Sequence, residues 1–419
     1  MANESAAPRS LRNNFAWTLV GNGVFSASQW LLLIVIAKWS TLFSLGQFSL
    51  GLAVTGPLFQ FASLQLAAIA ATDAKGDYPF RDYLSVRVGA TAVALATASG
   101  IALLIAESRD TAAVIMAVGC MKAVESLSDV CYGWFQRYER MKTVSLSLLA
   151  RALASLAVFA VALRMAGLAT ACGAVAGVWL AVFLVFDYPS ARRLCPATPT
   201  PSPRRRSLVR LALPMGVAAL LLALAPNIPR YFVERLLGRT DLAIFAAIGY
   251  VTLTGLLLVG ALTQSATPRL SRFHADREGG QFKRLLARLV AFSSVIGIAG
   301  ILGAAAFGRW LLTMLYRAEM APHVATLTWA MAAGALGYVS SALAHGITAA
   351  RCFRAQVVIL SLTVPAAALS CWLLIPKFGL VGAAQAWTIA MGVKTLAALV
   401  TIAWVLRRFD AAPRAVPGS

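Results

Sequence analysis

Long apolar runs separated by short charged or Pro/Gly-rich breaks set the pattern of this chain. A helix needs about 20 mostly apolar residues to cross a bilayer. Runs of roughly that length predict twelve spans, near 15–37, 43–71, 85–106, 111–134, 143–165, 167–188, 208–232, 241–267, 286–307, 325–349, 355–375 and 379–405. The expected fold class is therefore all-α, a polytopic membrane protein with about 12 transmembrane helices.

The breaks also suggest a division. Pro196, Pro199, Pro201 and Pro203 alternate with small polar residues in 195–207, which reads as a cytoplasmic linker between a six-helix lobe at 1–194 and a second at 208–419. Two short likenesses cross the linker. Gly167-Leu168-Ala169 opens span six as Gly379-Leu380-Val381 opens span twelve, and Leu45-Gly46-Gln47-Phe48 compares with Leu242-Ala243-Ile244-Phe245. Six-span halves in one orientation are parallel repeats, a transporter design in which two bundles rock about a central site. Gly21, Gly23, Gly56, Pro57, Pro214, Gly216, Pro226 and Pro229 are candidate bending points within the spans.

Composition then excludes a soluble domain, because 59% of the 419 residues are hydrophobic and 13% are charged, against about 25% charged in ordinary domains. The net charge of +21 would suggest nucleic acid in a soluble chain. Its distribution says otherwise. With the N-terminus inside, the cytoplasmic segments 1–14, 72–87, 135–142, 189–210, 268–288, 350–354 and 406–419 hold 25 Lys and Arg, and the outer connections hold nine. That asymmetry puts both termini in the cytoplasm of a cell (inner) membrane and accounts for the run Arg204-Arg205-Arg206 without nucleic acid. Residues 1–14 are polar and the first apolar run is long, so no cleaved leader is expected. The six cysteines lack CxxC spacing and His274, His323 and His345 are scattered, so neither a disulfide framework, a metal site nor a cofactor is expected.

Three basic residues remain inside spans: Lys122, Arg151 and Lys394. An ionisable group near the bilayer centre costs about 2.5–3.5 kcal/mol on insertion scales and so faces protein or water. Span four carries Lys122, Glu125 and Asp129 at spacings of three and four, on one helix face, where Lys122 and Glu125 can pair. Lys122, Arg151 and Lys394 are the candidate substrate-binding cations for an anionic headgroup; Arg230, at the outer end of span seven, is a further candidate, for which a local ion pair with Glu234 one turn away is the simpler account. Glu125 and Asp129 are the candidate ion-coupling carboxylates. The alternative for the cluster is a buried pair that fixes packing, with Arg151 and Lys394 snorkelling to the cytoplasm. Lone His345 is expected to pack and hydrogen-bond, and no phosphate-cradling Gly-rich loop points to ATP use.

Leu213-Pro214-Met215-Gly216, Asn227-Ile228-Pro229-Arg230-Tyr231-Phe232 and Leu242 through Tyr250 resemble, in that order, the polysaccharide transporter family of the multidrug/oligosaccharidyl-lipid/polysaccharide superfamily. Pro268-Arg269-Leu270, Leu312-Thr313-Met314-Leu315-Tyr316 and Ile375 through Ala384 continue the resemblance, although Arg317 stands where a Gly is expected. The resemblance implies two six-helix lobes that flip a lipid-diphosphate-linked oligosaccharide to the outer leaflet by alternating access. It also implies a monomer working beside a polymerase and glycosyltransferases of one pathway. Lys122, Glu125, Asp129 and Arg151 lie in the half with few such motifs and rest on their charge. A drug or cation antiporter of the same superfamily is the first alternative; a membrane polymerase, ligase or acyltransferase is the second.

Overall fold

The computed structural model describes residues 11–73, 77–195, 205–350 and 352–411. The prolines and Arg204 of the expected linker lie outside the described residues. Every described element is helical. In chain order they are α1 (Leu11–Trp39), α2 (Leu42–Ser63), α3 (Leu66–Thr72), α4 (Phe80–Ile105), α5 (Arg109–Arg137) and α6 (Met141–Val182), followed by a π-helix (Phe183–Asp187) and α7 (Tyr188–Arg193). After the linker come α8 (Arg205–Leu224), α9 (Ile228–Leu237), α10 (Arg239–Ala275), α11 (Gly279–Leu315), a 3-10 turn (Ala318–His323), α12 (Val324–Ala349) and α13 (Phe353–Ala411).

Among the described residues nine stretches are long and apolar enough to cross a membrane. Two of them, Met141–Arg193 and Ala355–Arg407, run to 53 residues, more than one crossing can use. Each is interrupted by a glycine with non-helical backbone, Gly167 (φ 82°, ψ −178°) and Gly379 (φ 56°, ψ −133°). Counting each as two crossings, and adding α5, whose 29 residues are long enough to cross, gives the twelve spans of the sequence pattern. Large side chains on the outside are apolar, with Leu104 at 86% and Met165 at 81% exposure, as a surface solvated by lipid requires. The protein is a multi-pass membrane protein.

Local chemistry explains several boundaries. Thr41 caps α2 by accepting from the Ser44 amide at 3.1 Å, and Ser108 caps α5 by accepting from the Thr111 amide at 3.2 Å. Leu64 and Gln65 adopt left-handed backbone (φ 47° and 50°) and break α2 from α3 inside the second span. Span seven ends earlier than expected, at Leu224. Pro226 and Pro229 have no amide hydrogen to continue the ladder, so a turn at 225–227 leads into α9 with Pro229 in its first turn. Gly21 lets α1 approach Ser145 of α6, where a side chain would have no room.

The chain divides by contacts into two compact units, Met1–Ala223 and Leu224–Ser419, so α8 counts almost wholly with the first. In the first unit α5 lies at the centre, packed against α2, α3, α4 and α6. Gly133 has no room for a side chain against the Ala67 backbone, which brings α3 onto α5. In the second unit α12 is central, against α10, α11 and α13. There Tyr338 donates to the Thr252 carbonyl at 2.6 Å, and His345 bonds Thr267 at 2.9 Å, a packing role as expected.

Candidate functional site

The burial of α5 puts its charges indoors. Lys122, Glu125 and Asp129 share one face, and that face lines a cavity of about 560 Å³ within the first unit. Lys122 Nζ donates to Glu125 Oε2 at 2.7 Å, the pair read from the spacing. Asp129 Oδ2 accepts from Arg87 Nη2 at 2.6 Å. Arg87 also reaches Ser126 Oγ at 3.4 Å, beside a Ser126–Thr91 bond of 3.1 Å.

Arg87 corrects the sequence reading, which placed it in the cytoplasmic segment 72–87. α4 begins at Phe80, five residues before the expected span, so Arg87 lies about two turns inside the helix and its side chain is 0% exposed. The residue before Phe80 is Pro79, a helix-start signal that would have moved the boundary.

Arg151 also lines the cavity, and is 1% exposed. Its Nη2 donates to Asp187 Oδ2 at 3.1 Å, to Ser128 Oγ and to the Trp179 carbonyl at 3.4 Å. The guanidinium lies 5.8 Å from the Tyr132 ring and 5.7 Å from that of Trp179. Asp187, which the sequence reading did not single out, is completely buried. It ends the π-helix and from there accepts from Arg151.

The first unit thus gives each buried cation a carboxylate: Arg87 with Asp129, Lys122 with Glu125, Arg151 with Asp187. The rest of the lining includes the amides of Asn22, Gln60, Gln65 and Gln136 and the Tyr132 hydroxyl, groups that both donate and accept hydrogen bonds. Lys394 and Arg230 lie in the second unit. Lys394 is half-buried on α13, with no ion pair or hydrogen bond to another described residue. Arg230 opens α9, donates to Asn227 Oδ1 at 3.2 Å and lies 5.9 Å from the Tyr250 ring. The six cysteines are free thiols, and no group of three or more metal-ligating side chains occurs among the described residues.

The family model described as polysaccharide biosynthesis protein matches residues 11–274, more than half of the chain and the whole of this cavity. The chain belongs to that family. This polysaccharide biosynthesis protein is 24% identical over 387 residues to the capsular polysaccharide biosynthesis protein CapF of Staphylococcus aureus, covering 90% of this chain and 95% of CapF. The solved structure of the lipid II flippase MurJ in an inward closed conformation superposes with a TM-score of 0.74 at 9% identity, covering 94% of this chain and 89% of MurJ. The MATE transporter VcmN of Vibrio cholerae superposes with a TM-score of 0.67 at 13% identity, covering 95% and 96%. At these identities the two structures share the fold of this family member. The family match covers the motifs from Leu213 to Leu270 and agrees with the resemblance read from them.

Proposed function

We propose that this protein flips a lipid-linked, diphosphate-bearing oligosaccharide across the cytoplasmic membrane by alternating access, for cell-surface polysaccharide synthesis. The observation that carries this reading is the first unit's cavity, which combines cations for an anionic headgroup with amides and a hydroxyl for sugar hydroxyls. Membership of the polysaccharide biosynthesis family supports the substrate class, and MurJ and CapF are relatives whose names fit it. Lys122, paired with Glu125, and Arg151, paired with Asp187, are the proposed anion contacts of this unit, and Glu125 and Asp129, the latter paired with Arg87, are the proposed ion-coupling carboxylates. Lys394 and Arg230 join them as candidates by charge alone. The protein works as a monomer in the inner membrane with both termini in the cytoplasm, beside a polymerase and glycosyltransferases of the same pathway.

A cation or drug antiporter of the MATE type would want carboxylates free to meet a cation. Here Glu125, Asp129 and Asp187 each already hold one. Catalysis is not part of the proposal. The test is complementation: cells lacking the gene receive the wild type or Lys122→Ala, Arg151→Ala or Lys394→Ala at matched protein levels, and surface glycan is measured. Loss of glycan is expected, most severe for Lys122→Ala, whose pair faces the cavity; for Arg151→Ala, whose sealed pair with Asp187 also holds the fold, the unfolding midpoint is measured beside the glycan. Normal glycan from all three would sink the cationic-contact assignment, and altered covalent structure of a lipid-linked glycan given to purified protein would move it to the enzymes.

A further inference from the structure

The three ion pairs of the cavity differ in one respect that decides what each can do. Arg151 and Asp187 are sealed, at 1% and 0% exposure. Arg87 and Asp129 are not alike: the guanidinium is 0% exposed, whereas the Asp129 side chain is 47% exposed and lines the open cavity. The cation is fixed by its surroundings, and the carboxylate is the partner with room to turn away.

Arg87 is also under-used. A guanidinium carries five N–H donors in a planar fork. Arg87 meets one oxygen of Asp129 through one nitrogen, and Ser126 at the far limit of a hydrogen bond. Its Nε is buried with no hydrogen-bond partner among the described residues. A carboxylate engaged through one oxygen does not match the fork, while a phosphate, with three oxygens in a tetrahedral array, can take two parallel N–H donors at once. Glu125, one turn from Asp129 on the same face, adds like-charge repulsion to whatever holds Asp129 in place.

We infer that Arg87 is an anion-binding residue of this cavity, and that a phosphate group of the substrate takes it over from Asp129, which serves as a displaceable resident counter-ion. This rests on the flippase reading above and assigns that site a residue and an exchange step. No covalent bond changes: one ion pair opens, another closes, and the released carboxylate passes into the cavity. In the empty cavity Asp129 prevents Arg87 from standing as an uncompensated buried charge. In the loaded cavity the diphosphate does so.

The exchange is tested by equilibrium binding to the full-length protein in lipid nanodiscs, using inorganic diphosphate and farnesyl diphosphate as probes and calorimetry as the readout. Removing the competitor with Asp129→Asn should tighten binding on the order of tenfold. Arg87→Lys keeps the charge, so that Asp129 stays paired and the fold is maintained, but it loses the fork and should weaken binding by a similar factor. In an Arg87→Gln background, which leaves Asp129 no cation to hold, Asp129→Asn should bring much less gain than it does alone. Unfolding midpoints of each variant control for folding. Stronger binding of the farnesyl probe marks a lipid-borne diphosphate and equal binding marks the free ion, and both support the site if they depend on Arg87. Wild-type affinity in Arg87→Lys, or an equal gain from Asp129→Asn with and without Arg87, overturns the exchange and leaves the flippase reading standing. Failure of the wild type to bind either probe removes the diphosphate site altogether, and with it the basis of that reading in this cavity.

Discussion

Arg151 and Asp187 are the two charges least able to lose each other, since neither reaches solvent and Ser128 and the Trp179 carbonyl fix the guanidinium further. Removing one partner of a buried pair leaves the other uncompensated, a penalty of about 3–5 kcal/mol, whereas an apolar pair of similar volume is close to neutral. Arg151→Met is therefore expected to lower the unfolding midpoint of the detergent-solubilised protein sharply, and Arg151→Met with Asp187→Leu to recover most of the loss. A single variant as stable as the wild type would show that the pair is not structural. Residue chemistry was legible in the sequence where it depended on local spacing. Lys122, Glu125 and Asp129 sit three and four apart, so their common face and the Lys122–Glu125 pair follow from helix geometry alone. Arg87 was hidden by a helix start misplaced by five residues, whereas Asp187 stood inside the expected span 167–188, next to its cytoplasmic end, and its partner Arg151 lies 36 residues earlier, beyond what local spacing shows.

At the scale of elements, the two long helices broken by glycine are the clearest internal correspondence. Gly167 and Gly379 hold backbone conformations that L residues rarely adopt, and at neither position would a Cβ meet a neighbouring atom. The cost of a side chain there is conformational, of order 1–3 kcal/mol. Gly167→Ala and Gly379→Ala are each expected to destabilise by about that amount, and their effects to add, because the residues lie in different compact units. Thermal unfolding of the singles and the double checks both statements; a double variant no worse than either single would contradict the independence. The faint likeness of Gly167-Leu168-Ala169 to Gly379-Leu380-Val381 thus marks a shared backbone break. The second likeness holds in burial: Leu45 and Leu242 are each the fourth residue of their helix and 0% exposed, and Phe48 and Phe245 are each 3% exposed. Bending points were less legible. Glycine and proline are common in membrane helices for several reasons, and the break at Leu64–Gln65 uses neither.

For the whole molecule, the number of crossings was legible because the length of an apolar run is set by the bilayer and owes little to tertiary packing. Orientation is carried by the basic residues of the connections. In a background with the six native cysteines replaced, Lys377→Cys should react with a membrane-impermeant maleimide on intact cells, and Ser207→Cys only after permeabilisation. Labelling in the opposite order would invert the assignment of both termini. Contacts change hands after Ala223, at a place set by how α8 packs, with Gly216 against Leu64 and the Phe61 carbonyl, which the Pro-rich stretch 195–207 does not announce.

The central place of α5 also bears on how the chain is made. Lys122, Glu125 and Asp129 would each oppose transfer of an isolated helix from the translocon into lipid, by about 2.5–3.5 kcal/mol for a charge at the helix centre. Lys122 and Glu125 neutralise each other within the helix, so the charge left over is that of Asp129, and its partner Arg87 sits on α4, the helix synthesised just before. A hairpin of α4 and α5 leaves the translocon with its intramembrane charges already paired, which neither helix can do by itself. The contact that sets the cavity's charge balance in this way also lowers the cost of holding α5 in the bilayer.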